Sequence, residues 1–256
     1  MAFEPRILGR TGLQVGPLGV AASYGVPAEA VERAFEQGVN YLYWGSIRRK
    51  AFGDAVRRLA PQRERFVLAV QSYSRMASLM VWSAERALRS LRLDYADVLL
   101  LGMWNKPVPP RILDAARRLK QRGLVRFLAV STHKRTLAPA LARDFDILHF
   151  RYNAAHPGAE RDIFPFLSGA NRPGMVSYTA TSWGRLMNPK KTPPGERTPR
   201  AADCYRFVLA RPEVDVCMTG PRSASEMDEA LEALRLGPMS EDELAWMRRV
   251  GAAVRG

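Results

Sequence analysis

Between Gly38 and Gly53 the chain reads Gly-Val-Asn-Tyr-Leu-Tyr-Trp-Gly-Ser-Ile-Arg-Arg-Lys-Ala-Phe-Gly. Val39 to Tyr43 fits a short strand that ends at a polar loop. The loop carries Tyr43 and Trp44, then Arg48, Arg49 and Lys50. A phenol beside cations is a candidate proton donor, because positive charge nearby favours the phenolate. The same cations offer partners for an anionic substrate. A second stretch, Met218 to Glu226, reads as a strand, a tight turn and a capped helix start. Backbone N–H groups at a helix N-terminus bind phosphate, and Arg222 adds a bidentate partner. The plain alternative is that Ser223 caps the helix while Arg222 sits in water.

Other reactive side chains fall at the ends of apolar runs: Ser131, Thr132 and His133; His149, Tyr152, Asn153 and His156; Tyr178, Thr179 and Thr181. These ends are rich in aromatics and hydroxyls and poor in carboxylates, which argues against paired-acid chemistry such as glycoside hydrolysis. No His, Asp and Cys cluster has a metal-site spacing. Trp44, Trp104 and Trp183, taken as a set, are expected to frame a pocket for a flat heterocycle, although any one of them alone would more simply pack under a loop.

The elements that must position these groups alternate. Apolar strand-like runs are expected within residues 13–20, 39–43, 65–71, 96–101, 126–130, 146–152, 174–178 and 214–218. Helical spacing fills the intervals, for example Ala28 to Gln37 with Val31, Ala34 and Phe35 on one face. Two helices close the chain, the second after a Ser240 cap with Glu243 three residues on. Alternation of this kind requires crossover connections and a parallel sheet. Eight such units in 256 residues predict a (β/α)8 TIM barrel, as one domain over residues 1–256, with an N-terminal β-hairpin and an extra C-terminal helix. An open doubly wound sheet would want a Gly-rich phosphate loop after its first strand, and Gly19 to Gly25 is not one. The long stretch Thr181 to Arg200 is read as cover over the barrel mouth.

Net charge is +14, and only six of the 39 basic residues are Lys. The Arg residues are scattered along helices in pairs such as Arg57-Arg58 and Arg117-Arg118. That pattern suits solvated helix faces better than a nucleic-acid surface. The two cysteines make no disulfide framework. No signal core opens the chain, and no apolar run approaches the roughly 18 residues of a membrane span. A cytoplasmic setting is the expectation, with a small molecule as the partner.

Several segments, in order, resemble the aldo/keto reductase family. These are Leu8 to Val15, Gly38 to Tyr41, Ser90 to Val98, Val130-Ser131, Tyr152-Asn153, Ser177-Tyr178 and Thr219 to Arg222 with Glu226 and Glu229. The resemblance implies an NADP-dependent oxidoreductase that moves hydride to or from a carbonyl or alcohol carbon. It implies dinucleotide contacts from Ser131, Thr132, His149, Tyr178, Thr179, Gly220, Arg222 and Glu226. His149 stands where the family keeps a carboxamide-holding Gln, and Arg222 would face a 2′-phosphate. The family's catalytic Asp, Tyr, Lys and His fall on Tyr43, Arg48, Gln71 and Gly102. The catalytic positions Tyr43, Arg48 and Gln71 therefore imply a non-standard proton donor. Tyr43 is one candidate, although it could instead fill the space left at Gly102; His133 and His149 are others. The alternative is a catalytically silent NADP-binding barrel that acts as a sensor or partner subunit.

Overall fold

In the computed structural model, residues 3–45 and 47–255 are described; Ser46, within the Gly38–Gly53 stretch, lies outside them. Strands β1 (Arg6–Ile7) and β2 (Gln14–Val15) pair antiparallel as a small hairpin. Eight parallel strands follow: β3 (Leu18–Ala21), β4 (Tyr41–Trp44), β5 (Val67–Gln71), β6 (Ala96–Met103), β7 (Val125–Thr132), β8 (Ile147–Arg151), β9 (Gly174–Tyr178) and β10 (Val216–Thr219). They form a closed barrel, β10 pairing with both β9 and β3. The helices are α1 (Ala28–Glu36), α2 (Lys50–Leu59), α3 (Ala77–Leu91), α4 (Pro110–Gln121), α5 (Ala138–Leu141), α6 (Ala159–Asp162), α7 (Ala201–Leu209), α8 (Ala224–Leu236) and α9 (Glu241–Arg255). This is the (β/α)8 barrel that the alternation predicts.

Two expectations are refined. The run Leu13 to Val20 is two strands rather than one. Gly16 and Pro17 turn the chain between them, and the Gly16 N–H donates to Asn40 Oδ1 at 2.8 Å. The stretch Thr181 to Arg200 carries two 3-10 turns, and it is tied near both ends to the last helix. Arg185 donates to the Val254 carbonyl at 2.8 Å, and the Trp246 indole donates to the Arg197 carbonyl at 3.1 Å. α9 begins with a reciprocal cap: Glu243 N–H donates to Ser240 Oγ, and Ser240 N–H donates to Glu243 Oε2. Its Gly251 packs so closely on the Ala154 backbone that a side chain there would not fit.

The core has two layers. Outward-facing strand residues and the helices make a continuous apolar shell. Inward-facing residues, among them Tyr41, Ala69, Val98, Ala129, Ile147 and Val216, fill the barrel itself, and Leu8 from the hairpin region joins this inner cluster. Carboxylates gather at the strand starts. Asp97, Asp146 and Asp215 each accept a backbone N–H from a neighbouring strand, those of Leu68, Leu128 and Met175 respectively. Arg63 and Arg126 pair with Asp97, and Arg172 pairs bidentately with Asp215. In barrels of this kind the N-terminal face carries stability and the C-terminal face carries chemistry. The scarcity of acids at the mouth follows from where they are used.

Candidate active site

Register decides which side chains meet at the mouth. Ser131 on β7 is paired with His149 on β8, and Arg151, two residues beyond His149, is paired with Tyr178 on β9. Side chains two apart on a strand share a face. His149 therefore belongs to the layer of Ser131, and Arg151 and Tyr178 to the layer above.

His149 is buried, and its Nε2 lies 2.9 Å from the Tyr41 hydroxyl, also fully buried. Burial drives the His149 pKa down to about 3, so the ring is neutral. Burial also pushes the Tyr41 phenol well above its ordinary value, so it keeps its proton. A buried hydroxyl proton needs an acceptor, and Nε2 is the one at hand. The ring proton of His149 then resides on Nδ1, which leaves that nitrogen a donor. The sequence reasoning missed Tyr41 as a site residue. Its period-two spacing from Tyr43 was the available signal, since both face inward.

The next layer holds Tyr178, half-buried, with the His133 ring 6.2 Å away. Burial raises the Tyr178 pKa, and Arg151 pulls against that shift. Burial lowers the His133 pKa, and Arg151 adds to it. Arg151 is a second residue the sequence reasoning passed over: a cation at a strand tip, within electrostatic reach of Tyr178, His133 and His156. A hydroxyl, a neutral imidazole donor and a flat phenol face on adjacent strands fit a nicotinamide. The carboxamide needs a donor and an acceptor, and the ring needs an apolar surface.

Two hydroxyls are occupied by local structure. Thr132 Oγ1 bonds Asn105 Oδ1 at 3.1 Å, an oxygen that also accepts from the His133 and Lys134 backbones. Thr179 has φ +61° and donates to the Tyr178 carbonyl at 2.7 Å. At the far side, Ser223 Oγ accepts from Glu226 N–H and so caps α8. Arg222 is exposed; its backbone N–H donates to Glu226 Oε2 at 2.7 Å and its Nε to Oε1 at 3.2 Å. Gly220 lies beneath the Tyr24 ring, where a Cβ would stand 2.6 Å from the ring carbons.

Tyr43, Arg48, Gln71 and Gly102, the positions where the resemblance expects the tetrad, do not converge as one hydrogen-bonded set among the described residues. Tyr43 faces inward, and its ring lies against Gly45. Arg48 turns to α3 instead. It donates to the Gln71 carbonyl at 3.1 Å and to Ser83 through both its carbonyl and Oγ at 3.3 Å. Burial lowers the Arg48 pKa, Arg86 lowers it further, and Tyr43 opposes this. Gln71 is buried with its Oε1 unpartnered among the described residues. Gly102 has φ +72°, and a Cβ there would stand 2.6 Å from the Tyr73 ring. Tyr73, rather than Tyr43, thus covers the place where a His side chain would project.

The expected tryptophan pocket does not form. Trp44 faces outward and stacks on Phe52 at 6.0 Å. Trp104 is buried, donates to the Leu101 carbonyl and takes the Arg75 guanidinium on its face. Trp183 is exposed, 59% of its surface being accessible. Alternation along β4 is the reason for the first: inward Tyr41 and Tyr43 force Leu42 and Trp44 outward.

No helix among the described residues is long and apolar enough to cross a membrane, and no cluster of three metal-ligating side chains occurs among them. Comparison with known proteins agrees with this architecture. The chain is 24% identical over 284 aligned positions to L-galactose dehydrogenase of Arabidopsis thaliana, covering 91% of this chain and 88% of that protein. The solved structure of aldo-keto reductase AKR11C1 from Bacillus halodurans superposes in its holo form with TM-score 0.80 at 19% identity, over 97% of this chain and 96% of that one. Its apo form gives 0.79. Residues 26–202 match the family model described as "Aldo/keto reductase family". The chain belongs to the aldo/keto reductase family, whose members are oxidoreductases that use nicotinamide cofactors.

Proposed function

We propose that this protein is an NADP-dependent oxidoreductase that reduces a carbonyl, or oxidises the corresponding alcohol, with Tyr43 in place of the usual proton donor. The observation that carries the reading is the register on β7 to β9, with Ser131 beside His149 and Tyr178 one layer above. In this reading Ser131 and His149 hold the carboxamide, Tyr41 keeps His149 oriented, and Tyr178 offers its face to the ring. Gly220, Arg222 and Glu226 serve the adenosine phosphate end, with Arg222 leaving Glu226 to meet the 2′-phosphate. Thr132 and Thr179 act through the loops they brace. Ser131, His149 and Tyr178 would hold the nicotinamide, which in its reduced form would supply the hydride.

The protein's own task is then the proton. Tyr43 gives its hydroxyl proton to the substrate oxygen as charge develops there, and water restores it. Arg48 and Tyr43 influence one another's charge, and a cation beside a phenol favours the phenolate that proton transfer leaves. Gln71, neutral, cannot supply that charge; Arg48, on the Gln71 carbonyl, does.

NADPH oxidation across a panel of aldehydes and ketones tests the activity, and titration watched by tryptophan fluorescence tests the cofactor. Tyr43→Phe is expected to lower turnover by about 10²–10⁴-fold with NADPH binding unchanged. Full turnover in that variant would remove Tyr43 from the role. A lack of both quenching and thermal stabilisation at millimolar NADPH would remove the cofactor.

A further inference from the structure

On the flank of the barrel a groove of about 630 Å³ opens between the tip of β4 and α3. Its walls include Arg48, Tyr73, Leu79, Trp82 and Arg86, with Trp44 behind them. Two features fix its chemistry. The first is uncompensated charge. Among the described residues Arg48 bonds only neutral acceptors, the Gln71 and Ser83 carbonyls and the Ser83 hydroxyl. Arg86 lies over the Trp82 ring at 5.0 Å. Neither has a carboxylate partner among the described residues, whereas Arg58, Arg122, Arg200 and Arg206 each have one. The two cations lie close enough that Arg86 disfavours the charge on Arg48.

The second feature is apolar. Tyr73, Leu79 and Trp82 expose about half of their surfaces, at 53%, 49% and 50%. The Trp44 indole N–H, buried in the wall, has no acceptor among the described residues. Paired guanidinium groups recognise oxyanions through charge-assisted, bidentate hydrogen bonds. Exposed rings beside them accept a flat apolar body.

We infer that this groove binds an organic anion: an oxyanion head, carboxylate or phosphate, on an apolar body the size of an aromatic ring. The head bridges Arg48 and Arg86 and relieves their repulsion. The body lies against Trp82, Leu79 and Tyr73. The groove shares Arg48 and Gln71 with the proton-donor end of the proposed active site but none of its walls with the nicotinamide wall on β7 to β9, so binding there is measured without turnover.

Calorimetric titration of the full chain with benzoate and with phenyl phosphate tests it, with benzyl alcohol and acetate as probes that lack the charge or the ring. One site per chain is expected for benzoate, phenyl phosphate or both, at least tenfold tighter than for either control. Benzoate alone assigns a carboxylate head, and phenyl phosphate alone a phosphate head. Arg86→Gln and Trp82→Ala, both at exposed positions, are each expected to weaken binding at least tenfold while thermal unfolding and the NADPH titration stay as in the parent. Equal affinity for benzyl alcohol, no saturation by either anion, or undiminished binding in Arg86→Gln overturns the inference. Loss of NADPH binding in Arg86→Gln overturns the separateness of the site from the nicotinamide wall, whereas failure of NADPH to bind the parent protein bears only on the proposed oxidoreductase activity.

Discussion

Replacing His149 by Gln, the residue at this position in related barrels by resemblance, isolates the energetics of the Tyr41–His149 pair. In the folded protein His149 stays neutral down to about pH 3. In the unfolded chain a histidine takes up its proton near pH 6.5. Between those values the unfolded state binds more protons than the folded one, so stability falls as pH falls. The full contribution is about 5 kcal/mol, from roughly 3.5 pH units at about 1.4 kcal/mol each. About 2.5 kcal/mol of it is lost between pH 7.5 and pH 4.5. Carboxylates such as Glu243, held below their usual range by Arg206 first, also lose stability at low pH. They do so equally in the variant, so the difference between the two proteins isolates His149. The Gln can still accept from the Tyr41 hydroxyl, which keeps that buried group satisfied. Urea denaturation at the two pH values, for parent and His149→Gln, gives the double difference. The parent is expected to lose about 2.5 kcal/mol more than the variant. Parallel losses would refute the neutral, buried pair, as would an imidazole NMR titration placing His149 near 6.5.

Two further outcomes follow from the packing. Asp215 is buried, bonded bidentately to Arg172 and to the Met175 N–H. Asp215→Ala leaves that guanidinium and N–H uncompensated and should cost about 3–5 kcal/mol, a Tm fall on the order of 10 °C, while NADPH quenching persists at the opposite face; an unchanged melting curve would sink this. Placing at Gly102 the His that the resemblance implies there should not raise turnover of NADPH. With φ +72° and Tyr73 over the site, even Gly102→Ala is expected to cost about 1–2 kcal/mol, and Gly102→His more, as chemical denaturation would show; a neutral Gly102→Ala would mean that the backbone there is not held left-handed.

Much of this was legible in the chain because it rests on local rules. Strand and helix alternation follows from apolar period and from glycines that end helices, such as Gly38 and Gly123, each with positive φ in the fold. The Ser240–Glu243 and Ser223–Glu226 caps span three residues, so the sequence reveals them directly. Closure of the barrel follows from counting eight units, and family resemblance placed Ser131, His149 and Tyr178 on its wall.

What adjacent strands put together was not legible. Tyr41 and His149 are 108 residues apart, and only the staggered register of the closed barrel makes them hydrogen-bond partners. Burial then makes that imidazole a permanent neutral group rather than a titrating one. The tip of β4 shows the same division. Its sequence specifies a phenol, an indole and three cations in order. Only the pleat sends Tyr43 inward and Trp44 outward, and only the neighbouring α3 gives Arg48 somewhere to turn. Composition and period determine the barrel, because each strand and helix must bury its own apolar face. The site is decided by contacts between distant segments, whose geometry exists only once the ring of strands has closed.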